Sequence, residues 1–468
     1  MNKVVLLLFL LSTPALSQTD RHLWFENARL GIQFPASPGN DWKPWIELFQ
    51  KAGARYAIAS TSIIPAAVPV IASAPLPIGL LVKLPQNLTG ETLLTRATQL
   101  LEINSHSALL LLDGTREQSA SLAKLWTGRL TGPLTGDRYW NRHLPATGDF
   151  LSLDRFLPSA PLSDSRGNRL LWETHYPASD FPKERPELLI RLLAEVAGKG
   201  GNLVLDLNEP STANNALQAL GTWLQVNGES IYGTVPGPFD RMPFYGGATR
   251  NGDSLYLHVF RWPKDGKLRL LGLETGVLSA ELLDGGAKLA ILKEGNQTTL
   301  HSNTKIQEAA DTVVKLKLAS PSRWIPYLLS EDSNGVFEAT VAACEFEARP
   351  GQLIRKDLEG DHVVLTNWQR AIDVPSWKVQ LKTRGRYAVS MVYRAAAQSA
   401  GATYTITMKG ESVGIIKGIV AASSEFKTFP VGEMELDAGN FLLVIQPENK
   451  PGINAMTFEK LIFRRLDN

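Results

Sequence analysis

The stretch at residues 107–115, SALLLLDGT, constrains the fold of this chain more than any other. Its short apolar run ends at Asp113, just before a glycine, and this pattern predicts a strand buried on both faces, as in parallel sheets. A carboxylate at the end of such a strand occupies the place where barrel enzymes keep their chemistry. The alternative is that Asp113 caps a helix beginning near Arg116, because aspartate is a favoured N-cap residue.

The segments on either side of this stretch alternate between strand and helix patterns. The predicted strands cover residues 29–34, 54–61, 77–84, 108–112 and 202–207. The predicted helices cover residues 41–52, 91–101, 185–198 and 214–227. Strands that alternate with helices predict a parallel sheet covered by helices.

From residue 244 the pattern changes to short alternating strands, such as 254–260, 267–270 and 313–318, separated by turns such as Asp265-Gly266. A polar segment at 330–335 precedes further strand patterns at 387–393, 402–408 and 440–445. This texture indicates antiparallel sandwiches. The sequence therefore predicts an α/β fold with a TIM-like (β/α) barrel, complete or incomplete, followed by two antiparallel β-sandwich domains. The expected domains are residues 18–235, 236–330 and 331–468.

The first seventeen residues have the layout of a secretory signal peptide. Lys3 precedes an apolar core at residues 4–11, and Ala15-Leu16-Ser17 supplies small residues for cleavage after Ser17. We therefore expect export to the periplasm or the extracellular space. A second uncharged stretch, residues 57–82, contains four prolines and is interpreted as barrel interior and loop rather than a membrane span.

Charge and cysteine content exclude several classes of function. The 48 Lys and Arg residues nearly balance the 46 Asp and Glu residues, so no broad surface for nucleic acid or anionic membranes is expected. The single cysteine, Cys344, excludes an intramolecular disulfide and a cysteine-based metal site. A neutral partner is the simplest expectation, and the sequence does not indicate an oligomeric state.

Residues 188–234 resemble the α-L-fucosidases of glycoside hydrolase family 29. The segments LLIRLLAEVAGKGGNLVLDL and ALGTWLQVNGESIYGT are similar to that family's last barrel helix, last strand and closing helix. Upstream, LGIQFPAS, GARYAIAST, LLLLDG and GDRYWNRHLPATGDFLSLDRFLP follow the order of its other barrel segments. With the middle β region included, the resemblance covers roughly residues 22–318. It implies a glycoside hydrolase that retains anomeric configuration by double displacement.

The resemblance also implies roles for individual residues. Asp113 falls on the nucleophile position, and Asp154 falls on a position where family members can carry the acid/base glutamate. Glu173, in Trp172-Glu173-Thr174, is a second acid/base candidate, and Arg138 matches an active-site arginine. Retaining glycosidases hold two such carboxyl groups about 5–5.5 Å apart and meet the transition-state charge with carboxylates, so no metal or cofactor is expected.

The sugar-binding positions depart from the family pattern. Pro35 stands where the first strand of the relatives ends in a histidine, and Ile63 and Ile64 replace histidines after the second strand. Those histidines grip the hydroxyls of fucose in the relatives, and buried polar groups of this kind provide discrimination. The sugar specificity is therefore open.

Other side chains of the same loops are candidates for substrate binding. His143 and His175 are candidates to replace the lost histidines. Trp140 and Trp172 are candidates to stack on a sugar face.

Two functions are compatible with these observations. The first is an exported fucosidase-like hydrolase acting on an oligosaccharide or glycoconjugate. The second is a catalytically inactive fucosidase-like barrel that serves as a glycan-binding or scaffold protein. Residues 331–468 resemble carbohydrate-binding modules of the family 6 and 35 type, with Trp368 or Trp377 as the sugar platform; the alternative is a structural sandwich packed on the barrel.

Overall fold

A computed structural model gives the fold of most of the chain. It describes residues 18–35, 43–61, 76–103, 108–113, 115, 117–118, 121–122, 134–137, 149–209, 215–302, 305–306, 309–326, 328–347, 351–410 and 412–466. The expected signal peptide lies outside these residues and stays a prediction. No helix in the described ranges combines the length and the apolar character needed to cross a membrane.

Eight parallel strands form a closed barrel in which each strand pairs with the next and β8 pairs with β1. The strands are β1 (Leu30–Pro35), β2 (Tyr56–Thr61), β3 (Ile78–Lys83), β4 (Leu109–Asp113), β5 (Leu134–Asp137), β6 (Phe150–Asp154), β7 (Trp172–Pro177) and β8 (Asn202–Asp206). The five strands predicted from sequence pattern match β1 to β4 and β8, with ends that differ by at most two residues.

Helices cover the outside of the barrel and close its floor. They are α1 (Gln18–Ala28), α2 (Lys43–Ala52), α3 (Gly90–Ile103), α4 (Glu187–Gly198) and α5 (Asn215–Asn227). Helices α2, α3 and α4 connect consecutive strands, and α5 follows β8. The connection from β6 to β7, residues 155–171, contains no helix, and this shortens the barrel relative to a chain of regular βα units.

Alternation along the strands divides the side chains between the barrel wall and the interior. Outward residues such as Phe34 pack against Trp45 and Phe49 of α2, with ring centroids 5.2 and 5.3 Å apart. Inward residues form a separate cluster near the floor, where Phe25 of α1 lies 5.9 Å from the Tyr56 ring and contacts Phe150. Helix α1 therefore plugs the amino-terminal end of the barrel and leaves the opposite end as the mouth.

The middle β region consists of two sheets that share one hydrophobic core. Its strands are β9 (Val235–Pro236), β10 (Gly246–Asn251), β11 (Ser254–Val259), β12 (Lys267–Leu271), β13 (Val277–Leu282), β14 (Ala290–Glu294), β15 (Gln297–His301) and β16 (Thr312–Leu318). The five-stranded sheet has the order β13-β16-β11-β10-β9 and the three-stranded sheet the order β12-β15-β14. Leu257 and Leu316 from the first sheet lie in the same core as Leu268 and Leu300 from the second.

The C-terminal β region, residues 328–466, contains two six-stranded sheets around a second shared core. Its strands are β17 (Leu329–Ser330), β18 (Val336–Thr340), β19 (Glu345–Glu347), β20 (Arg355–Glu359), β21 (His362–Thr366), β22 (Val374–Leu381), β23 (Gly385–Ala395), β24 (Thr403–Gly410), β25 (Val413–Ile419), β26 (Ser423–Leu436), β27 (Gly439–Asn449) and β28 (Thr457–Arg465).

The two tryptophans expected to form a sugar platform lie inside this C-terminal core. Trp368 and Trp377 are both fully buried. Their indole N–H groups donate to the carbonyl oxygens of Asp373 and Thr340 at 2.9 and 2.7 Å. The platform prediction is therefore corrected, because neither ring presents a face to a ligand.

Candidate active site

The carboxyl ends of the eight parallel strands meet at the barrel mouth. Asp113, Asp154 and Asp206 are the last residues of β4, β6 and β8. His175 of β7 lies in register with Asp154 on the neighbouring strand. The fold therefore places three carboxylates on the strand ends where barrel enzymes carry out catalysis.

Asp113 lies on the inward side of β4, because it continues the alternation of Leu109 and Leu111, which belong to the interior cluster. The helical residues that follow are capped by another pair. The Gln118 amide N–H donates to Thr115 Oγ1 at 3.3 Å, and the Thr115 amide donates to Gln118 Oε1 at 2.7 Å. This reciprocal arrangement is a capping box. The N-cap role that was the alternative for Asp113 thus belongs to Thr115.

The backbone around Asp154 is held by neighbours from both the barrel and the C-terminal β region. The Gly351 amide donates to the Asp154 carbonyl at 2.8 Å, and the Gln352 amide donates to the Arg155 carbonyl at 2.9 Å. Arg155 itself has a positive φ of 41°, which a non-glycine residue adopts only where its surroundings enforce it. Its guanidinium binds Asp180 with two hydrogen bonds of 2.7 and 3.2 Å. These contacts fix the strand end that carries Asp154.

A buried polar network lies beneath the mouth and is centred on Glu173. The Tyr56 hydroxyl donates to Glu173 Oε2 at 2.8 Å, and the Ser152 hydroxyl donates to Glu173 Oε1 at 2.9 Å. His175 Nε2 lies 3.0 Å from Glu173 Oε1, and His175 Nδ1 lies 3.0 Å from Asp206 Oδ1. Both ring nitrogens thus face carboxylate oxygens.

Tyr56 acts as a permanent donor in this network. Burial, together with the negative charge of the neighbouring Glu173 carboxylate, raises the pKa of Tyr56 well above its ordinary value. The phenol therefore keeps its proton over the working range of proteins. Gly31 on β1 makes room for the ring, because a Cβ atom at that position would lie 2.5 Å from Tyr56 Cζ.

Ser152, His175 and Asp206 are connected in the order of a hydrolase triad, with Ser152 Oγ 3.1 Å from His175 Nε2. A nucleophilic role for Ser152 does not fit its surroundings. The Ser152 side chain is buried and its hydroxyl donates to Glu173, which leaves no approach for an acyl substrate. The network is better described as a support that orients Asp206, the member whose side chain reaches the mouth and is 25% exposed.

The burial of two predicted site residues does not favour direct contact with a substrate. Glu173 has no exposed surface, so it does not reach a glycosidic oxygen; Asp154 is kept as the acid/base candidate. His175 is also buried, and its ring nitrogens engage carboxylates rather than sugar hydroxyls.

Trp172 lies in the outer wall rather than at the mouth. It is buried against Gly201 and meets the Phe156 ring edge-on at a centroid distance of 6.0 Å. Its position corrects the prediction that it stacks on a sugar.

The remaining predicted positions are distributed as follows. Pro35 is the last residue of β1, at the mouth. Arg138, Trp140, His143, Ile63 and Ile64 lie outside the residues that the structure describes. Among the described ranges, no group of three or more His, Cys, Asp or Glu side chains is arranged to hold a metal ion.

Sequence reasoning missed Tyr56 and Ser152. A signal for both is present, because each lies on the inward face of its barrel strand. Tyr56 is two residues from Ile58 and Ser152 is two residues from Phe150, and both of these apolar residues belong to the interior cluster. A polar inward residue on a barrel strand requires a partner. Glu173 supplies it in both cases.

The fold and the mouth define a parallel β/α barrel with β-rich C-terminal regions, and comparisons with known proteins find partial similarity to α-L-fucosidases. No family model matches the chain. An α-L-fucosidase of Branchiostoma floridae is 34% identical over 90 residues, 18% of this chain and 20% of that protein. An α-L-fucosidase of Dictyostelium discoideum is 36% identical over 108 residues, 21% and 23% of the two chains. The matched segments thus span only about a fifth of each relative.

The solved structure of an α-L-fucosidase from Vibrio sp. strain EJY3 shares the fold over nearly the whole chain. It superposes with a TM-score of 0.60 at 15% identity and covers 96% of this chain and 97% of that one. Curated relatives and solved structures therefore agree with the resemblance noted in the sequence.

Proposed function

We propose that this protein is an exported, α-L-fucosidase-like glycoside hydrolase that works by retaining double displacement. The observation that carries the proposal is the position of Asp113. It ends the inward face of β4 at the mouth of a closed barrel, while Thr115 and Gln118 perform the capping that was its alternative role. The partial matches to named α-L-fucosidases and the shared fold support the choice of substrate class.

In the proposed first step, the Asp113 carboxylate attacks the anomeric carbon as the bond to the leaving oxygen breaks. Asp154 gives its proton to that oxygen, so the product is a glycosyl ester on Asp113 and a free alcohol. In the second step Asp154 takes a proton from water, whose oxygen displaces Asp113 and restores the original anomeric configuration.

Asp154 is one methylene shorter than the glutamate that relatives carry, so proton transfer depends on where its backbone is held. The two amide bonds from Gly351 and Gln352, together with the Arg155–Asp180 ion pair, fix the end of β6. The C-terminal β region thereby contributes to the catalytic unit. We further propose that each β region is a β-sandwich domain, a proposal supported by the two sheets that share a common core in each.

A catalytically inactive glycan-binding or scaffold protein is the second candidate. Pro35 at the end of β1 favours it, because a proline offers neither a side-chain donor nor a backbone N–H to a sugar hydroxyl. The buried engagement of His175 favours it as well, since that imidazole does not replace the missing recognition.

Hydrolysis of a panel of aryl glycosides, including aryl α-L-fucoside, separates the two candidates. The hydrolase proposal expects cleavage by the wild type and loss of cleavage in Asp113→Asn. Asp253→Asn is the matched control, because Asp253 is an exposed carboxylate of the middle β region. If the wild type cleaves no member of the panel, or if Asp113→Asn is as active as the wild type, the hydrolase proposal fails.

The leaving group tests the role of Asp154. A dinitrophenyl group departs without protonation, whereas a poor leaving group needs the general acid, which contributes about 10²–10⁴-fold. Asp154→Asn should therefore still form the glycosyl ester on Asp113 from the dinitrophenyl glycoside, but it should no longer cleave a glycoside with a poor leaving group. Equal losses on both substrates would contradict the assignment.

A further inference from the structure

A cavity of about 330 Å³ lies beside the barrel mouth, where the barrel meets the C-terminal β region. Its walls come from the residues after β6, from the outer face of α4 and from the segment 352–356. Arg155, the residue next to Asp154, lies in the wall. The cavity has the size of a site for a small molecule of one or two rings.

Two side chains of the wall are more than nine-tenths buried and yet incompletely bonded. Arg191 and Gln352 are each 7% exposed. Arg191 Nε donates to the Ala310 carbonyl and Gln352 Nε2 to the Ile354 carbonyl, but Arg191 Nη1 and Gln352 Oε1 have no partner in the part of the chain that the structure describes. Arg355 Nε is a third buried donor that has no hydrogen-bond partner among the described residues. Folded proteins rarely leave such groups unsatisfied, so these atoms point to a polar occupant.

The charges around the cavity favour an anion. Arg155, Arg191, Arg355 and Lys356 face two acidic side chains, Asp180 and Glu195. Arg155 and Asp180 neutralise each other in their ion pair. Burial raises the pKa of Glu195 to about 7, so at neutral pH the carboxyl carries only part of a negative charge. Outside the wall, Asp357 lies 3.9 Å from Arg355 Nη2 and Glu345 interacts with Lys356. These two carboxylates are also paired with Arg185 and Lys199, so the positive charge of Arg191, Arg355 and Lys356 still exceeds the negative charge that remains.

The rest of the wall is apolar and aromatic. Phe181, Leu188, Tyr245 and Phe346 surround the charged groups. Aromatic and aliphatic walls combined with a few polar groups match a sugar ring, which has apolar C–H faces and hydroxyl edges. An amide oxygen such as Gln352 Oε1 accepts from a hydroxyl, while arginine donates to a carboxylate.

We propose that this cavity binds a hexuronic acid residue, an acidic sugar, and thus forms a second saccharide site next to the mouth. The choice of a saccharide rests on the proposed glycoside hydrolase function, whereas the preference for an anion rests on the cavity alone. The C-terminal β region takes part in recognition by completing this cavity, not through an exposed tryptophan platform.

Isothermal titration calorimetry with D-glucuronate tests the proposal on the full-length Asp113→Asn protein, so that turnover does not interfere. D-glucose and inorganic phosphate are the comparison ligands. We expect D-glucuronate to bind at least about 10-fold more tightly than either, because charged hydrogen bonds to arginine are added to ring contacts.

Two variants and one control assign the binding to this cavity. Gln352→Leu keeps the backbone bond to Arg155, and Arg355→Leu removes a partly exposed side chain. Each should weaken D-glucuronate binding about 10-fold. Arg355→Leu should leave the melting temperature unchanged, whereas Gln352→Leu should lower it by about 2–4 °C, because it removes the bond to the Ile354 carbonyl. Arg384→Leu, which alters an exposed arginine of the same region, should bind as its parent does.

Each contrary outcome has a distinct meaning. If phosphate binds as tightly as D-glucuronate, the claim that the ligand is a saccharide is overturned. If D-glucose binds as tightly as D-glucuronate, the preference for an anion is overturned. If D-glucuronate does not bind, the proposed site is overturned. If D-glucuronate binds as expected but no aryl glycoside is cleaved, the hydrolase proposal fails while the cavity assignment stands.

Discussion

Replacing Tyr56 by phenylalanine removes one hydroxyl from the network beneath the barrel mouth. That hydroxyl donates to Glu173 Oε2 at 2.8 Å, and both side chains are fully buried. A hydrogen bond to a charged group contributes about 1.5–3 kcal/mol, and the substitution leaves a buried carboxylate oxygen without this donor. We expect Tyr56→Phe to lower the free energy of unfolding of the barrel by about 2 kcal/mol.

Calorimetric melting measures the effect. For a unit of 150–250 residues, about 1 kcal/mol corresponds to a shift of about 2–4 °C, so the barrel transition should fall by roughly 4–8 °C. A double-mutant cycle with Glu173→Gln separates the pair from its surroundings and should give a coupling energy above about 1 kcal/mol.

Tyr393→Phe is the matched control. Tyr393 is also buried and also loses only a hydroxyl, but that hydroxyl accepts from the neutral amide of Ala421 at 2.8 Å. A bond between uncharged groups contributes about 0.5–1.5 kcal/mol. If the two variants lose the same stability, the reasoning that Glu173 is a charged acceptor in the barrel interior is refuted.

Two further perturbations test neighbouring parts of the structure. Gly31→Ala should destabilise the barrel by about 1–3 kcal/mol, because the added methyl displaces the Tyr56 ring. Gly276→Ala is the control and should be near neutral, because the nearest atom to an added methyl there is 3.8 Å away. Equal melting points for the two variants would contradict the close approach of Gly31 to the Tyr56 ring. The folded pKa of Glu195, about 7, exceeds the ordinary value of 4.5, so the wild type loses up to about 3 kcal/mol of its free energy of unfolding as pH rises from about 4.5 to 7. Glu195→Gln should abolish this loss. Urea unfolding across that pH range measures it, and parallel curves for wild type and variant would count against the raised pKa.

Five of the eight barrel strands, β1 to β4 and β8, were predictable because each combines apolar residues with a clear boundary. Residues 108–112 and 202–207 were expected as strands and are found as Leu109–Asp113 and Asn202–Asp206. Helix α1 was not predictable, since QTDRHLWFENA has no apolar stripe at helical spacing. It forms because Phe25 packs on the barrel floor, a contact between segments far apart in the chain.

The sequence predicted carboxylates at the mouth but not the side chains and backbone groups that hold them in place. Asp113 was identified by its strand-end position and by resemblance, and Asp154 by resemblance alone; in the structure both residues end barrel strands. Glu173 could contact substrate or lie in the barrel interior, depending on the register of β7 relative to the neighbouring strands. The sequence pattern of one strand does not define that register. The contribution of Gly351 to the position of Asp154 is a long-range backbone contact that local sequence does not encode.

Covalent trapping tests the proposed role of Asp113 most directly. A 2-deoxy-2-fluoro-fucosyl fluoride supplies a good leaving group and slows breakdown of a glycosyl ester, so a retaining enzyme accumulates the intermediate. Peptide mass spectrometry of the wild type should find the fluorosugar on Asp113, and Asp113→Asn should remain unlabelled. No label on the wild type, or a label on another carboxylate, would contradict the assignment of Asp113 as the nucleophile.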